Sequence, residues 1–168
     1  MKNIYIQACK FGKGVFAARN FEEGQEVLTF QGRKITYQEA CNPTLEDFCV
    51  QIGEDLYIDT ESIGRYVNHS CDPSCGLKTS VTLKAIRRIQ RGEEITFDYS
   101  TSMHEDHWAL ECLCGTDVCR GTIKDFKYLP LYLREKYIAK GIVPPWLLRE
   151  LSYESSDFLP LEESLGNR

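Results

Sequence analysis

The chain has 168 residues, of which 42% are hydrophobic, 11% aromatic and 27% charged. That length and composition suit one domain with a small appendage and exclude a disordered chain. Lys and Arg total 20 against 25 Asp and Glu, and the formal net charge of −5 disfavours direct nucleic-acid binding. Short β-branched or aromatic segments between Gly, Asn, Asp and Pro predict strands at 15–17, 26–30, 56–58, 81–86 and 94–99. Residues 36–41 read as a helical turn. From Lys127 the period changes. Residues 129–141 predict a short helix stopped by Gly141 and the Pro144-Pro145 pair, and 145–151 predict a second. The acidic, Ser-rich tail after Ser152 is expected to fray. The fold class expected is mainly β within α+β.

One stretch is echoed. Ala18-Arg-Asn-Phe-Glu-Glu-Gly-Gln-Glu-Val27 resembles Ile86-Arg-Arg-Ile-Gln-Arg-Gly-Glu-Glu-Ile95, and both read as strand, Gly turn, strand. Two copies imply small repeated sheets rather than a solenoid.

Charge is uneven. Residues 20–62 hold ten acidic and two basic side chains, while 77–91 hold five basic and no acidic ones. An acidic surface suits a basic protein or peptide partner, although a solvated face is the commoner reading of such runs. No run of about 18 apolar residues exists, so no membrane span is expected. Residues 1–9 have no apolar stretch long enough for a signal peptide. An intracellular location, cytoplasmic or nuclear, is the expectation. There the eight cysteines read as metal ligands or free thiols.

Cys112-Leu-Cys114-Gly-Thr-Asp-Val-Cys119 gathers three thiols within eight residues, with Gly115 loosening the backbone. A closed structural zinc site takes four ligands, so one is missing locally. Cys71, in the polar run Asn68-His69-Ser70-Cys71-Asp-Pro, is a candidate. The same run also permits a Cys71–His69 nucleophile and base, since residues i and i+2 of an extended segment share a face. A hydrolase of that kind leaves Cys112, Cys114 and Cys119 one ligand short.

Three pieces now stand together: Asn68-His-Ser-Cys71, Gly92-Glu-Glu-Ile-Thr-Phe-Asp-Tyr99 and Cys112-Leu-Cys-Gly-x3-Cys119-Arg-Gly121. In order and spacing they resemble the SET-domain protein lysine methyltransferases with a zinc-binding post-SET segment. Gly12-Lys13-Gly14 before a strand matches that family's first motif. The resemblance covers roughly residues 1–125. It implies a SET domain at 1–108, a post-SET zinc segment at 109–125 and a C-terminal helical extension with an acidic tail at 126–168. The implied fold is one of small sheets with a C-terminal pseudoknot that sets Asn68 to Cys71 beside Thr96 to Tyr99. The implied activity is transfer of methyl groups from S-adenosylmethionine to a protein lysine, histone or histone-like.

By motif matching, Tyr99 is the catalytic tyrosine. Gly12, Lys13, Gly14, Asn68 and His69 hold the cofactor, with Arg65 and Leu113 as further candidates. Tyr66, Phe97 and Trp108 wall the lysine channel. Cys71, Cys112, Cys114 and Cys119 hold one structural zinc ion. Asp47-Phe48 stands where many members carry a tyrosine pair, which leaves Tyr99 as the assigned active-site tyrosine. No cysteine-rich region precedes Gly12, unlike in several larger relatives. The competing expectation is a catalytically silent SET-like zinc module that binds a basic peptide. Residues after 125 carry no motif; they either pack on the core or form a dimer contact through Leu129, Leu131, Tyr132, Leu133 and Trp146, and the chain is expected to be a monomer or weak dimer.

Overall fold

The computed structural model describes residues 3–42, 44–45 and 48–156. Strands β1 (Ile4–Cys9) and β2 (Gly12–Ala17) form a hairpin, and β3 (Glu26–Thr29) and β4 (Gly32–Ile35) follow. A short helix, α1 (Tyr37–Ala40), leads to β5 (Cys49–Gly53) and β6 (Leu56–Thr60). Next come β7 (Asn68–His69), β8 (Cys75–Leu77), β9 (Thr82–Ala85) and β10 (Glu94–Phe97). β11 (Ala109–Glu111) and β12 (Thr122–Lys124) flank Cys112, Cys114 and Cys119. Helices α2 (Leu131–Ala139) and α3 (Pro145–Ser156) come last. Tail residues 157–168, expected to fray, lie outside the described residues.

The strands make four small sheets, ordered β1-β2-β10-β7, β3-β9-β8, β4-β6-β5 and β11-β12. This is the mainly β architecture expected. Alternation drives it: β2 buries Val15 and Ala17, β9 buries Leu83 and Ala85, and β10 buries Ile95 and Phe97. These residues join Phe21, Leu77 and Ile89 in the main core. Sequence reading missed β1, whose residues 5–8 are exposed and show no core periodicity. It also missed β4 and β5, and β7, β8, β11 and β12, the last four of three residues or fewer.

Two local expectations have a visible cause. At the head of α1, Glu39 N–H donates to Thr36 Oγ1 at 3.4 Å and Thr36 N–H to Glu39 Oε2 at 3.0 Å. The two echoed stretches pair with each other: Phe21 and Ile89 exchange both backbone hydrogen bonds at 2.9 Å. Gly24 and Gly92 turn the chain after each with φ +87°, a left-handed conformation that glycine adopts without a Cβ clash.

The C-terminal helices build a second core from Phe126, Leu129, Leu133, Tyr137, Ile142, Trp146 and Leu147. It seats directly on β8. A Cβ on Gly76 would lie 2.5 Å from the Ile142 side chain, so only glycine allows that approach. This alters the expected dimer surface. Leu129, Leu133 and Trp146 are buried inside the chain, leaving Leu131 and Tyr132 exposed on α2. Among the described residues, no helix is long and apolar enough to cross a membrane.

Candidate active site

The site forms where β10 slots between β2 and β7. It pairs antiparallel with β2 and parallel with β7, setting Thr96 opposite Asn68 and Phe97 opposite His69. Tyr99 follows at once, opening the tight 3-10 turn Tyr99–Ser102. Its N–H donates to His69 Nδ1 at 3.2 Å, and its hydroxyl donates to the Val67 carbonyl at 2.8 Å. Its ring packs 4.9 Å from Phe97 and 5.3 Å from His69. Burial brings His69 down to about 4; the Asp98 charge opposes this and the Arg120 charge adds to it. The imidazole is therefore neutral near pH 7. With Nδ1 accepting, Nε2 carries the proton and faces Cys71 Sγ at 3.3 Å.

Asn68 joins this face to the first glycine motif. Its Nδ2 donates to the Lys13 carbonyl at 3.1 Å, to Glu94 Oε1 at 2.7 Å and toward Cys9 Sγ at 3.4 Å. A Cβ on Gly14 would meet the Glu94 carboxylate and press on the Asn68 amide, so a larger residue there would push the Glu94 side chain aside. Gly12 sits opposite Cys9 in the hairpin. The Leu113 side chain is exposed, and its carbonyl accepts from Lys10 Nζ at 2.9 Å, tying the hairpin to the cysteine segment.

A cavity of about 550 Å³ is lined by Tyr99, Phe97, Val67 and Trp108, with Tyr37, Tyr57, Phe48, Arg65, Glu105 and His107. Two placements differ from expectation. Tyr66 does not line this cavity; it packs on the main core with Lys13 Nζ 5.2 Å from its ring centre. Arg65 faces the cavity, where its guanidinium stacks 4.1 Å from the Phe48 ring centre and lies 3.6 Å from Asp59 Oδ1. Asp47 lies outside the described residues. Tyrosines that sequence reading did not single out enter the wall: Tyr57 donates to Glu105 Oε1 at 2.5 Å, and the Tyr37 hydroxyl meets His107 Nε2 at 2.6 Å. Burial, then the Glu105 hydrogen bond, pushes the Tyr57 phenol up, so it stays a donor.

The Sγ atoms of Cys71, Cys112, Cys114 and Cys119 all lie within 4.8 Å of one another. Cys71 and Cys112 are 3.7 Å apart. Metal–sulfur bonds of about 2.3 Å in a tetrahedron require edges of about 3.8 Å, so the donor set fits a four-thiolate site. Hydrogen-bond donors reach two of the sulfurs, while burial raises Cys71 and Cys112. Arg120 N–H points at Cys71 Sγ at 3.4 Å, and Thr116 Oγ1 lies 3.3 Å from Cys114 Sγ. Burial pushes Cys114 up, but hydrogen bonds led by the Thr116 hydroxyl outweigh it and bring the thiol down to about 6. The expected juxtaposition of Cys71 with His69 is real, but Cys71 is buried among three other thiols. Burial raises its thiol against the pull of the Arg120 N–H, so it is not primed as an attacking nucleophile. Of the other cysteines, Cys75 is sealed in the main core and pushed up to about 12 by burial.

The family model described as SET domain matches residues 12–100. The chain belongs to the SET domain family. Histone-lysine N-methyltransferase ash1 of Drosophila melanogaster is 32% identical over 129 residues, covering 67% of this chain and 6% of that protein. The H3 lysine-4 specific histone-lysine N-methyltransferase of Schizosaccharomyces pombe is 31% identical over 126 residues, covering 64% of this chain and 14% of its own. This SET domain chain thus spans only a small part of those relatives. Among solved structures, the humanized mutant of the Chaetomium thermophilum Polycomb Repressive Complex 2 bound to the inhibitor GSK126 shares the fold. Its TM-score is 0.54 at 24% identity, covering 62% of this chain and 16% of that one.

Sequence reading of the SET domain missed the charge that underlies Tyr99. Asp98 is 1% exposed. It takes Arg120 Nη1 and Nη2, each at 2.7 Å, the Tyr137 hydroxyl at 3.0 Å and the Ser100 N–H at 3.1 Å. Asp98 and Arg120 both lie inside quoted motifs, but no local pattern marks them as partners.

Proposed function

We propose that this chain is an S-adenosylmethionine-dependent protein lysine N-methyltransferase acting on a basic, histone-like peptide. One observation carries the reading: the Tyr99 hydroxyl is fixed by the Val67 carbonyl at the wall of an aromatic cavity, while the β10–β7 pairing holds Asn68 and Gly14 on the same sheet.

Asn68 spends Nδ2 on Lys13 and Glu94, which leaves its Oδ1 to accept from the cofactor's ammonium. The Glu94 carboxylate beside Gly14 suits a cationic ligand. When bound, S-adenosylmethionine supplies the methyl group and the sulfonium charge. The protein's task is then positioning. A lysine ammonium, with an ordinary pKa of about 10.4, must lose a proton before it attacks. Phe97, Val67 and Trp108 exclude water from its stem, and desolvation favours the neutral amine. Tyr99, its hydroxyl oriented by the Val67 carbonyl, aims the amine nitrogen. Glu105 in the cavity wall complements a basic peptide. Cys71, Cys112, Cys114 and Cys119 would hold one zinc ion as a structural cross-link. That would join the segment after Tyr99 to the Asn68-His-Ser-Cys run.

The test is incubation with labelled S-adenosylmethionine and a panel of histones and basic peptides. Label on lysine supports the proposal. Peptide binding with no transfer, from zinc-loaded protein that binds the cofactor, points to the silent module.

A further inference from the structure

We infer that residues 125–147, outside the span the family model matches, brace the catalytic turn, and that Tyr137 is a positioning residue acting on Tyr99 through Asp98. The inference rests on the reading of Tyr99 given above.

Asp98 immediately precedes Tyr99 and is buried. Each of its oxygens receives two donors: Oδ1 takes Arg120 Nη2 and Ser100 N–H, and Oδ2 takes Arg120 Nη1 and the Tyr137 hydroxyl. Four donors saturate a carboxylate and fix its rotation. The Ser100 bond then fixes the start of the turn Tyr99–Ser102. Tyr137 delivers its hydroxyl from a rigid mount: it is 2% exposed on α2, packed within the cluster of Phe126, Leu133, Ile142, Trp146 and Leu147.

The same segment grips the chain beyond the turn. Asp125 is fully buried, and its Oδ2 accepts the Glu105 N–H at 2.7 Å and the Asp106 N–H at 2.5 Å. Phe126 N–H donates to the Met103 carbonyl at 3.2 Å. Met103 and Glu105 line the cavity. The C-terminal unit therefore holds residues 98–106 at both ends, Tyr99 between them.

The test uses the full chain with Tyr137→Phe, which keeps the ring and removes only the hydroxyl. Val27→Ala, in β3 of the main core and outside that segment, is the control for general loosening. At a temperature where all are folded, Tyr137→Phe lowers kcat about tenfold, with KM for peptide and cofactor within about twofold. Its Ser100 amide exchanges hydrogen about tenfold faster. Val27→Ala lowers the melting temperature while kcat and Ser100 exchange stay near wild type. The inference is overturned if Tyr137→Phe leaves kcat and Ser100 exchange unchanged, or if both variants change them alike. If the wild-type chain transfers no methyl group, the reading of Tyr99 falls, and Ser100 exchange alone decides whether the brace exists.

Discussion

His69 stands between Tyr99 and Cys71, accepting the Tyr99 N–H on Nδ1 at 3.2 Å and presenting Nε2 to Cys71 Sγ at 3.3 Å. One neutral imidazole thus links the turn at Tyr99 to the thiol cluster. The side chain expected to bind cofactor is engaged within the protein, so His69 would meet a cofactor through its backbone.

Removing the Tyr99 hydroxyl tests the catalytic assignment. Tyr99→Phe keeps the ring against Phe97 and His69 and loses the bond to Val67, which costs about 1 kcal/mol of stability. Methyl transfer falls about a hundredfold or more, because the amine is no longer aimed. Steady-state kinetics beside a thermal melt checks this; wild-type turnover in the variant would remove Tyr99 from its role.

Phe97 is 2% exposed and packs on Phe30 and Tyr99 without a hydroxyl to hold water in the channel. Exhaustive reaction should therefore yield di- or trimethyl-lysine. Phe97→Tyr adds a hydroxyl that takes up that room and shifts product toward monomethyl-lysine. Mass spectrometry of the peptide reads both, and monomethyl product alone from wild type would refute the assignment.

Metal analysis of freshly purified protein should find one zinc per chain. Chelation lowers activity and cofactor affinity together, since β11, Leu113 and β12 lose their anchor while the main core persists. Cys71→Ser gives the same paired loss. Metal-free protein with full activity would sink the four-cysteine assignment.

Gly14→Ala sets a methyl group against the Glu94 carboxylate and the Asn68 amide. The Glu94 carboxylate, at the end of a flexible side chain, swings aside at little cost in stability, and Asn68 loses it as a partner. Cofactor binding, measured by calorimetry, weakens more than peptide binding. Equal weakening of both would mean that Gly14 serves packing alone.

The sequence by itself determined the family, the mainly β class and three clustered cysteines, because these rest on local spacing: Cys112, Cys114 and Cys119 in one loop, Asn68 to Cys71 in another, and the strand pattern ending at Tyr99, with Cys71 as fourth ligand following from the resemblance. The Thr36 cap and the Gly24 and Gly92 turns were legible for the same reason. What only the tertiary structure decided concerns partners far apart in the chain. Arg65 goes to Phe48, Tyr57 goes to Glu105, and Asp98 gathers Arg120 and Tyr137 from segments 22 and 39 residues away. Burial imposes these pairings, since a carboxylate sealed beneath Tyr99 needs every donor the fold can bring to it, and no local pattern records which donors those are.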